Sequence, residues 1–258
     1  MSEATAEGVA VTAPPRLEWQ VATVVSVRQE TPRARTLVLD LPQWPGHRAG
    51  QHVDVRLTAE DGYQAQRSYS IASAPEDEYV VLTVERLEDG EVSPYLVGEL
   101  RAGDQVELRG PVGGYFVWEA SLGGPLLLIG GGSGVVPLRS IVRHHVAVAS
   151  DVPLRLLYSS RTLEDVLYRD ELARFAAYDE VDIRFTLTRA RPEGWRGYRR
   201  RIDRDLLAEV AWPAEERPLV YVCGPTPFVE TAASSFVELG HAPERIRTER
   251  FGPTGGRA

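Results

Sequence analysis

From Leu17 to about Leu108, apolar and polar residues alternate in short valine-rich runs: "WQVATVVSV", "ARTLVLDL", "HVDVRLTA", "RSYSIAS", "YVVLTVERL" and "QVELRG". A period of two puts every second side chain into a core and marks strands. Turn formers separate the runs, as in Asp61-Gly62, Pro75-Glu76 and Asp89-Gly90. Six short strands with hairpin-like connections predict a six-stranded antiparallel β-barrel. One short helix, "SPYLVGEL" (Ser93 to Leu100), is expected before the last strand. Ser93 can cap it, and Pro94 suits a first helical position.

After "RGPVGGYFVWEASLGG" the period changes. Apolar strand-like runs ("PLLLIG", "VPLRLLYSS", "VDIRFTLTR", "PLVYVCG") alternate with helical stretches ("VVPLRSIVRHHVAVA", "VLYRDELARFAA", "DRDLLAEV", "PFVETAASSFVELG"), and "RIRTERF" ends the series. Strands at this spacing, each followed by a helix, predict an α/β parallel sheet covered on both faces. The chain thus divides into a flexible N-terminal arm (1–16), a barrel domain (17–120) and an α/β domain (121–258). No internal repeat links the halves.

Composition narrows the function classes. A chain of 258 residues, 43% hydrophobic and 26% charged, has the make-up of a soluble globular protein. Its net charge of −8 argues against a nucleic-acid partner. All 29 basic residues are arginine, which removes the Walker-type phosphate lysine and lysine Schiff-base chemistry. The single Cys223 cannot supply a disulfide, a thiolate zinc site or a cysteine-ligated iron–sulfur cluster. "MSEATAEGVAVTAPP" has neither the basic nor the apolar region of a secretory signal, and no run approaches a membrane span. The expectation is a cytoplasmic monomer.

An open parallel sheet binds ligands outside the carboxyl ends of its strands. "IGGGSG", "YSSR", "TRARPEGWRGYRRR" and "CGPTPF" reach that edge. The glycine loop offers backbone amides to a phosphate at a helix start, although Val135 stands where the dinucleotide fingerprint would place its third glycine. Arg161, beside Ser159 and Ser160, suits a phosphate monoester such as the 2′-phosphate of NADP, with Arg199, Arg200 and Arg201 as helpers; a solvated arginine is the plain alternative. In the first half, "RSYS" turns Arg67 and Tyr69 to one face of a strand and Ser68 and Ser70 to the other, a place for a planar cofactor. "GEVS", Gly90 to Ser93, offers a second phosphate-sized element. There is no G-x-S-x-G elbow and no H-E-x-x-H pair. Adjacent His144 and His145 diverge by about 100° on a helix and would not share a metal. His47, in a proline-and-glycine turn, reads as solvated. No metal site is expected.

Taken in order, "RSYSIAS", "GEVSPYL", "GPVGGYF", "GGGSGVVPL", "YSSR" and "CGPTPF" resemble the ferredoxin–NADP reductase superfamily, specifically the reductase core of bacterial oxygenase reductases. The resemblance implies an FAD-binding barrel followed by an NAD(P)-binding sheet. It implies that Arg67 meets flavin phosphate, Tyr69 packs on the isoalloxazine, and Ser70 lies near flavin N5, with Ser68 between them. It further implies pyrophosphate contacts from Gly90, Glu91, Val92 and Ser93. Gly131, Gly132, Ser133 and Gly134 would hold the nicotinamide nucleotide, and Cys223, Gly224 and Pro225 its ring. Ser160, Arg161 and Arg200 would select the nucleotide, and Phe251 stands near the place of a family aromatic, though seven residues follow it.

These residues imply a flavin-dependent oxidoreductase taking hydride from NAD(P)H and passing electrons to a ferredoxin-like or oxygenase-system acceptor. FAD is expected over FMN, and NADPH over NADH. The hydride passes directly between nicotinamide C4 and flavin N5, so no general base is required; Ser70, Cys223 and Glu249 are the candidate catalytic residues. Oxygenase reductases commonly add a four-cysteine [2Fe–2S] domain, which one cysteine cannot form. The competing readings are a non-enzymatic flavin relay subunit of a larger redox complex and a nucleotide-binding regulatory protein.

Overall fold

The computed structural model describes residues 17–189 and 192–252; the expected N-terminal arm lies outside them. Six antiparallel strands, β1 (Trp19–Thr31), β2 (Ala34–Asp40), β3 (His52–Thr58), β4 (Gln64–Ser70), β5 (Val80–Glu85) and β6 (Gln105–Val112), form one sheet in the order β4-β3-β6-β1-β2-β5. Their alternation buries Ala22, Val24, Leu37, Leu39, Val53, Val55, Leu82, Val84, Val106 and Leu108 in a common core. β1 runs four residues beyond its expected end because register shifts between Val24 and Ser26 and between Gln29 and Thr31 let it bend without losing its partner. The sheet has two edges, β4 and β5, and they meet at a single bridge between Ile71 and Leu82. Helix α1 (Ser93–Gly98) packs Leu96 and Val97 into the same core.

Five parallel strands follow, β7 (Leu126–Gly131), β8 (Leu154–Ser160), β9 (Val181–Leu187), β10 (Leu219–Pro225) and β11 (Ile246–Phe251), in the order β11-β10-β7-β8-β9. The central strands β7 and β10, buried on both faces, are nearly all apolar, as a covered parallel sheet requires, whereas the edge strands β9 and β11 carry charged residues and are only partly buried. Leu127, Ile129, Leu157, Val220 and Val222 meet α4 (Arg204–Val210) and α5 (Thr226–Glu238). Leu126, Leu128, Leu156, Tyr221 and Cys223 face α2 (Val135–Ala147) and α3 (Arg169–Phe175). That second cluster also takes in Ala34, Ala49, Ala72, Phe116 and Trp118 from the first half, so it spans the junction between the two sheets while each keeps a core of its own. Among the described residues, no helix is long and apolar enough to cross a membrane.

Candidate functional site

β7 and β10 are neighbours, yet the helices that follow them pack on opposite faces of the sheet. Their carboxyl ends therefore flank the crevice where strand order reverses, the position at which open α/β sheets take ligands. At this point β7 ends in Gly131, Gly132–Gly134 make a tight 3-10 turn, and α2 begins. A Cβ on Gly134 would stand 2.1 Å from the Cys223 carbonyl oxygen, so only glycine lets the turn press against β10. Gly132 has φ +56° and open space above it. Among the described residues no side chain caps α2, and the Val135 amide at its start donates back to the Gly132 carbonyl of the turn.

Register carries the site across three strands: Cys223 lies opposite Gly130 on β7 and Glu249 on β11, and Pro225 lies opposite Phe251. Cys223 is 3% exposed. Burial first, and then the neighbouring Glu249 carboxylate, pushes its thiol well above the usual value, so it stays a neutral packing group. Glu249 is half-buried and has no cationic partner among the described residues; burial pushes its carboxyl up to about 7. Phe251 packs against the cluster that contains Cys223.

At the end of β8, Ser159 and Ser160 are buried and Arg161 is exposed. The Ser160 Oγ is sealed without a hydrogen-bond partner, while its carbonyl accepts from the Thr188 amide at 3.0 Å. Arg161 has no acidic partner among the described residues. Arg200 lies along the outer edge of β9, where its carbonyl accepts from the Thr186 hydroxyl and the Thr186–Tyr198 bridge holds its segment, and its guanidinium reaches Glu209 at 3.1 Å.

In the first half, Tyr69 is half-buried against the core, opposite Val53, and Arg67 lies opposite Val55 on the same face. Burial raises the Tyr69 phenol far above its ordinary value, so it remains neutral. Arg67 Nη2 donates to Glu91 at 2.5 Å, and the Tyr63 hydroxyl donates to the same carboxylate at 2.6 Å. Ser68 is already committed: its hydroxyl donates to Asp54 at 2.7 Å, and Asp54 also pairs with Arg109. Ser70 is half-buried opposite His52. Burial keeps that histidine neutral, lowering its pKa against the pull of Asp54.

Two local expectations are corrected. Ser93 does not cap α1; Val92 holds the N-cap position, and the Ser93 hydroxyl accepts from the Leu87 amide at 3.0 Å. The tight turn at Gly90, whose Cβ would meet Ser93 Oγ at 2.9 Å, directs the hydroxyl backward. Val92 is fully buried, so any ligand contact from it is through its backbone. His47 is half-buried rather than solvated: Nε2 lies 3.1 Å from the Ser73 carbonyl, Trp44 Nε1 donates to Nδ1, and burial lowers its pKa.

The segment after β4 brings the two halves together, which local sequence patterns did not reveal. Arg139 donates to the Ala72 carbonyl at 2.8 Å, and Ser140 donates to that of Ser73 at 2.6 Å. Arg143 holds Asp77 at 2.5 Å and also Glu171, which pairs with Arg139 at 2.6 Å. The available signal was the spacing of Arg139 and Arg143, one turn apart on α2. Phe228 was missed as well: its ring lies about where Cβ atoms on Gly131 and Gly224 would stand, at 3.0 and 2.8 Å. Thus Ala72, two residues beyond Ser70, enters the cluster that holds Cys223.

Comparison with known proteins agrees with this arrangement. Residues 21–117 match the oxidoreductase FAD-binding domain family, and 128–234 match the oxidoreductase NAD-binding domain family. Ferredoxin–NADP reductase B of Sorangium cellulosum is 33% identical over 238 residues, covering 89% of this chain and 96% of that protein. The glycine betaine monooxygenase reductase subunit of Chromohalobacter salexigens is 31% identical over 236 residues, covering 89% of this chain; the match spans only 63% of that relative. Among solved structures, the Amycolatopsis cytochrome P450 reductase GcoB is similar with a TM-score of 0.81 and 29% identity, covering 97% of this chain and 74% of that one. The chain belongs to the ferredoxin–NADP reductase-like superfamily, with an FAD-binding domain followed by an NAD-binding domain.

Proposed function

We propose that this protein is an FAD-dependent NAD(P)H oxidoreductase that passes electrons to a separate ferredoxin-like or oxygenase-type acceptor. The observation that carries the reading is the convergence of two nucleotide sites on one core. The glycine turn and the Cys223–Glu249 pair end the parallel strands, and the segment leaving Ser70 is buried against that same cluster. The residues fit both cofactors. The glycine turn is a cradle that a Cβ would fill, and the orphaned Ser160 hydroxyl is a polar group awaiting a partner. Arg67 stands exposed at a sheet edge beside Tyr69. When bound, the flavin takes two electrons as hydride and can release them singly.

The protein's part is position and proton control. Tyr69 offers a neutral aromatic face, Arg67 a phosphate contact, and Ser70 a hydroxyl at the end of β4. Cys223 packs at the crevice, and Glu249 can hold or release a proton near neutrality. The names of the relatives, a ferredoxin reductase and an oxygenase reductase subunit, support an iron–sulfur or oxygenase acceptor. These 258 residues contain one cysteine and cannot themselves hold a four-thiolate cluster.

Three finer readings belong to the same proposal. The first sheet closes as a barrel through the Ile71–Leu82 bridge, and the edges of β4 and β5 that splay from it admit the flavin. The domains are 17–120 and 121–258, the linking segment lying between β6 and β7. NADPH is preferred over NADH, supported by Arg161, which has no acidic partner among the described residues. Purified protein is expected to be yellow and to bleach anaerobically when NADPH is added. Bound flavin that nicotinamide never reduces would convert the reading to a relay subunit; protein that takes up no flavin would remove both.

A further inference from the structure

β11 ends the parallel sheet and pairs only with β10, yet it carries Glu249 and Phe251 to the crevice. An edge strand paired on one side needs a second restraint if its end is to keep one place. That restraint comes from the first half of the chain. The Tyr115 hydroxyl donates to the Ile246 carbonyl at 3.0 Å. One residue on, Arg247 Nη1 donates to the Val117 carbonyl at 2.5 Å and to the Tyr221 hydroxyl oxygen at 3.0 Å. The Tyr221 hydroxyl in turn donates to the same carbonyl at 2.7 Å, and Phe116 meets the Tyr221 ring edge to face with centroids 5.2 Å apart. Arg247 is half-buried, and these hydrogen bonds run to neutral oxygens rather than to a carboxylate.

The segment that holds Arg247 is itself seated beside the strand that faces Ser70. Gln51 Nε2 donates to the Gly113 carbonyl at 2.6 Å, and a Cβ on Gly50 would stand 2.0 Å from the Phe116 carbonyl oxygen. His52, the next residue, opens β3 and lies opposite Ser70. Contacts therefore run from the neighbour of Ser70 through Val117 and Arg247 to β11. A period of two turns Arg247, Glu249 and Phe251 to one face of that strand. The structure assigns Arg247 as a positioning residue: anchored on Val117, it fixes Glu249 and Phe251 across the crevice from Ser70. This rests on the flavin reading above and deepens it with a residue that acts through Glu249 and Phe251 rather than by touching either nucleotide. Cys223 faces Glu249 from β10 and stays neutral, and burial alone raises the Glu249 carboxyl to about 7. Arg247 thus does not act on that carboxyl as a charge, since a nearby cation would pull it down. Removing such a cation would raise the carboxyl further, whereas removing an anchor loosens the end of β11, admits water and lowers it.

Carboxyl 13C NMR of the glutamate-labelled full chain, with Glu249→Gln assigning the signal, reads that difference. Arg247→Met keeps an apolar stem and removes the donors, and the Glu249 midpoint should fall by about one pH unit or more. Arg247→Lys should restore most of it, because an ammonium can still reach the Val117 carbonyl. Tyr221→Phe keeps the ring against Phe116 and should move the midpoint the same way by less; it carries the test should the methionine variant fold poorly. In rapid mixing, Arg247→Met should bleach its flavin about tenfold or more slowly at saturating NADPH, since a misplacement of about 1 Å can cost about a hundredfold. Its half-saturating NADPH concentration should stay near the parent's. A Glu249 midpoint that rises or does not move, or a loss confined to NADPH affinity, would overturn the positioning role. A parent flavin that NADPH never reduces would overturn the underlying reading instead, and the carboxyl titration would still decide the anchor.

Discussion

Glu249 is the residue whose chemistry the environment alters most usefully. With its carboxyl raised from 4.5 to about 7, it is protonated in the folded chain where an unfolded chain would ionise it. The folded state then binds more protons between those values, so stability falls as pH rises from about 4.5 through 7. Glu249→Gln should flatten that slope in denaturant titrations between pH 5 and pH 8, and an unchanged slope would deny the raised carboxyl. Cys223 has the complementary character. Its thiol stays neutral across the same range, so Cys223→Ala should act through lost packing alone. Ser70→Ala and Cys223→Ala should each slow the saturated rate of flavin bleaching in rapid mixing while flavin stays bound, and parent-like rates in both would remove them from the catalytic set. Nothing in "RTERF" announces the shift at Glu249, because it depends on β10 and β11 pairing in register and on what covers them.

At the scale of elements, the glycine turn shows how much one atom can decide. Gly134→Ala would drive a methyl to 2.1 Å from a backbone carbonyl, where neither partner is a flexible side-chain end. Overpacking of this kind costs about 1–3 kcal/mol, and here the turn or β10 must move, so NADPH affinity should fall together with Tm. Gly132→Ala meets no neighbour but keeps a left-handed φ, which costs roughly 1–2 kcal/mol. Its thermal shift should be the smaller of the two, and a reversed order would mean the turn is not pressed against β10. Most elements were legible in the sequence for simple reasons. Alternation marked the six antiparallel strands, and apolar runs marked the central parallel ones, β7 and β10. Asp203, expected within the helix at "DRDLLAEV", accepts from the Leu206 amide as its cap. The start of α1 was misread because Ser93 and Pro94 fit a cap-and-first-turn pattern, while the Leu87–Gly90 turn claims the serine hydroxyl. Arg200 was drawn from the arginine-rich segment expected at the carboxyl edge of the sheet; its pairing with Glu209 and its place along β9 depend on the folded chain.

For the molecule as a whole, a strap of hydrogen bonds and ion pairs ties the segment after β4 to helices α2 and α3, and the proposed function expects it to set how the two nucleotide sites face each other. Glu171 and Asp77 are pulled two ways: burial works to raise their carboxyl pKa values, and the ion pairs with Arg139 and Arg143 outweigh it and hold both below the ordinary range. Their stabilisation is present above the unfolded values of 3.8 and 4.5 and is lost as pH falls through the lower folded ones. The strap therefore weakens in acid, the opposite direction from Glu249. Arg143 is the member to remove, because it alone grips both the first-half Asp77 and Glu171 of α3. Arg143→Met should cost about 1.5–3 kcal/mol in denaturant unfolding, the worth of a charged hydrogen-bond contact that is less than a third exposed. Because the glycine turn at the head of α2 is untouched, NADPH affinity should stay near the parent's. The saturated rate of flavin bleaching should fall, since a shift of about 1 Å between reacting groups can cost about a hundredfold. Arg143→Lys should recover part of it, as an ammonium can hold one carboxylate well but lacks the fork that spans two. A variant that loses NADPH affinity yet bleaches at the parent's saturated rate would show that the strap supports the fold without setting the approach of the two sites.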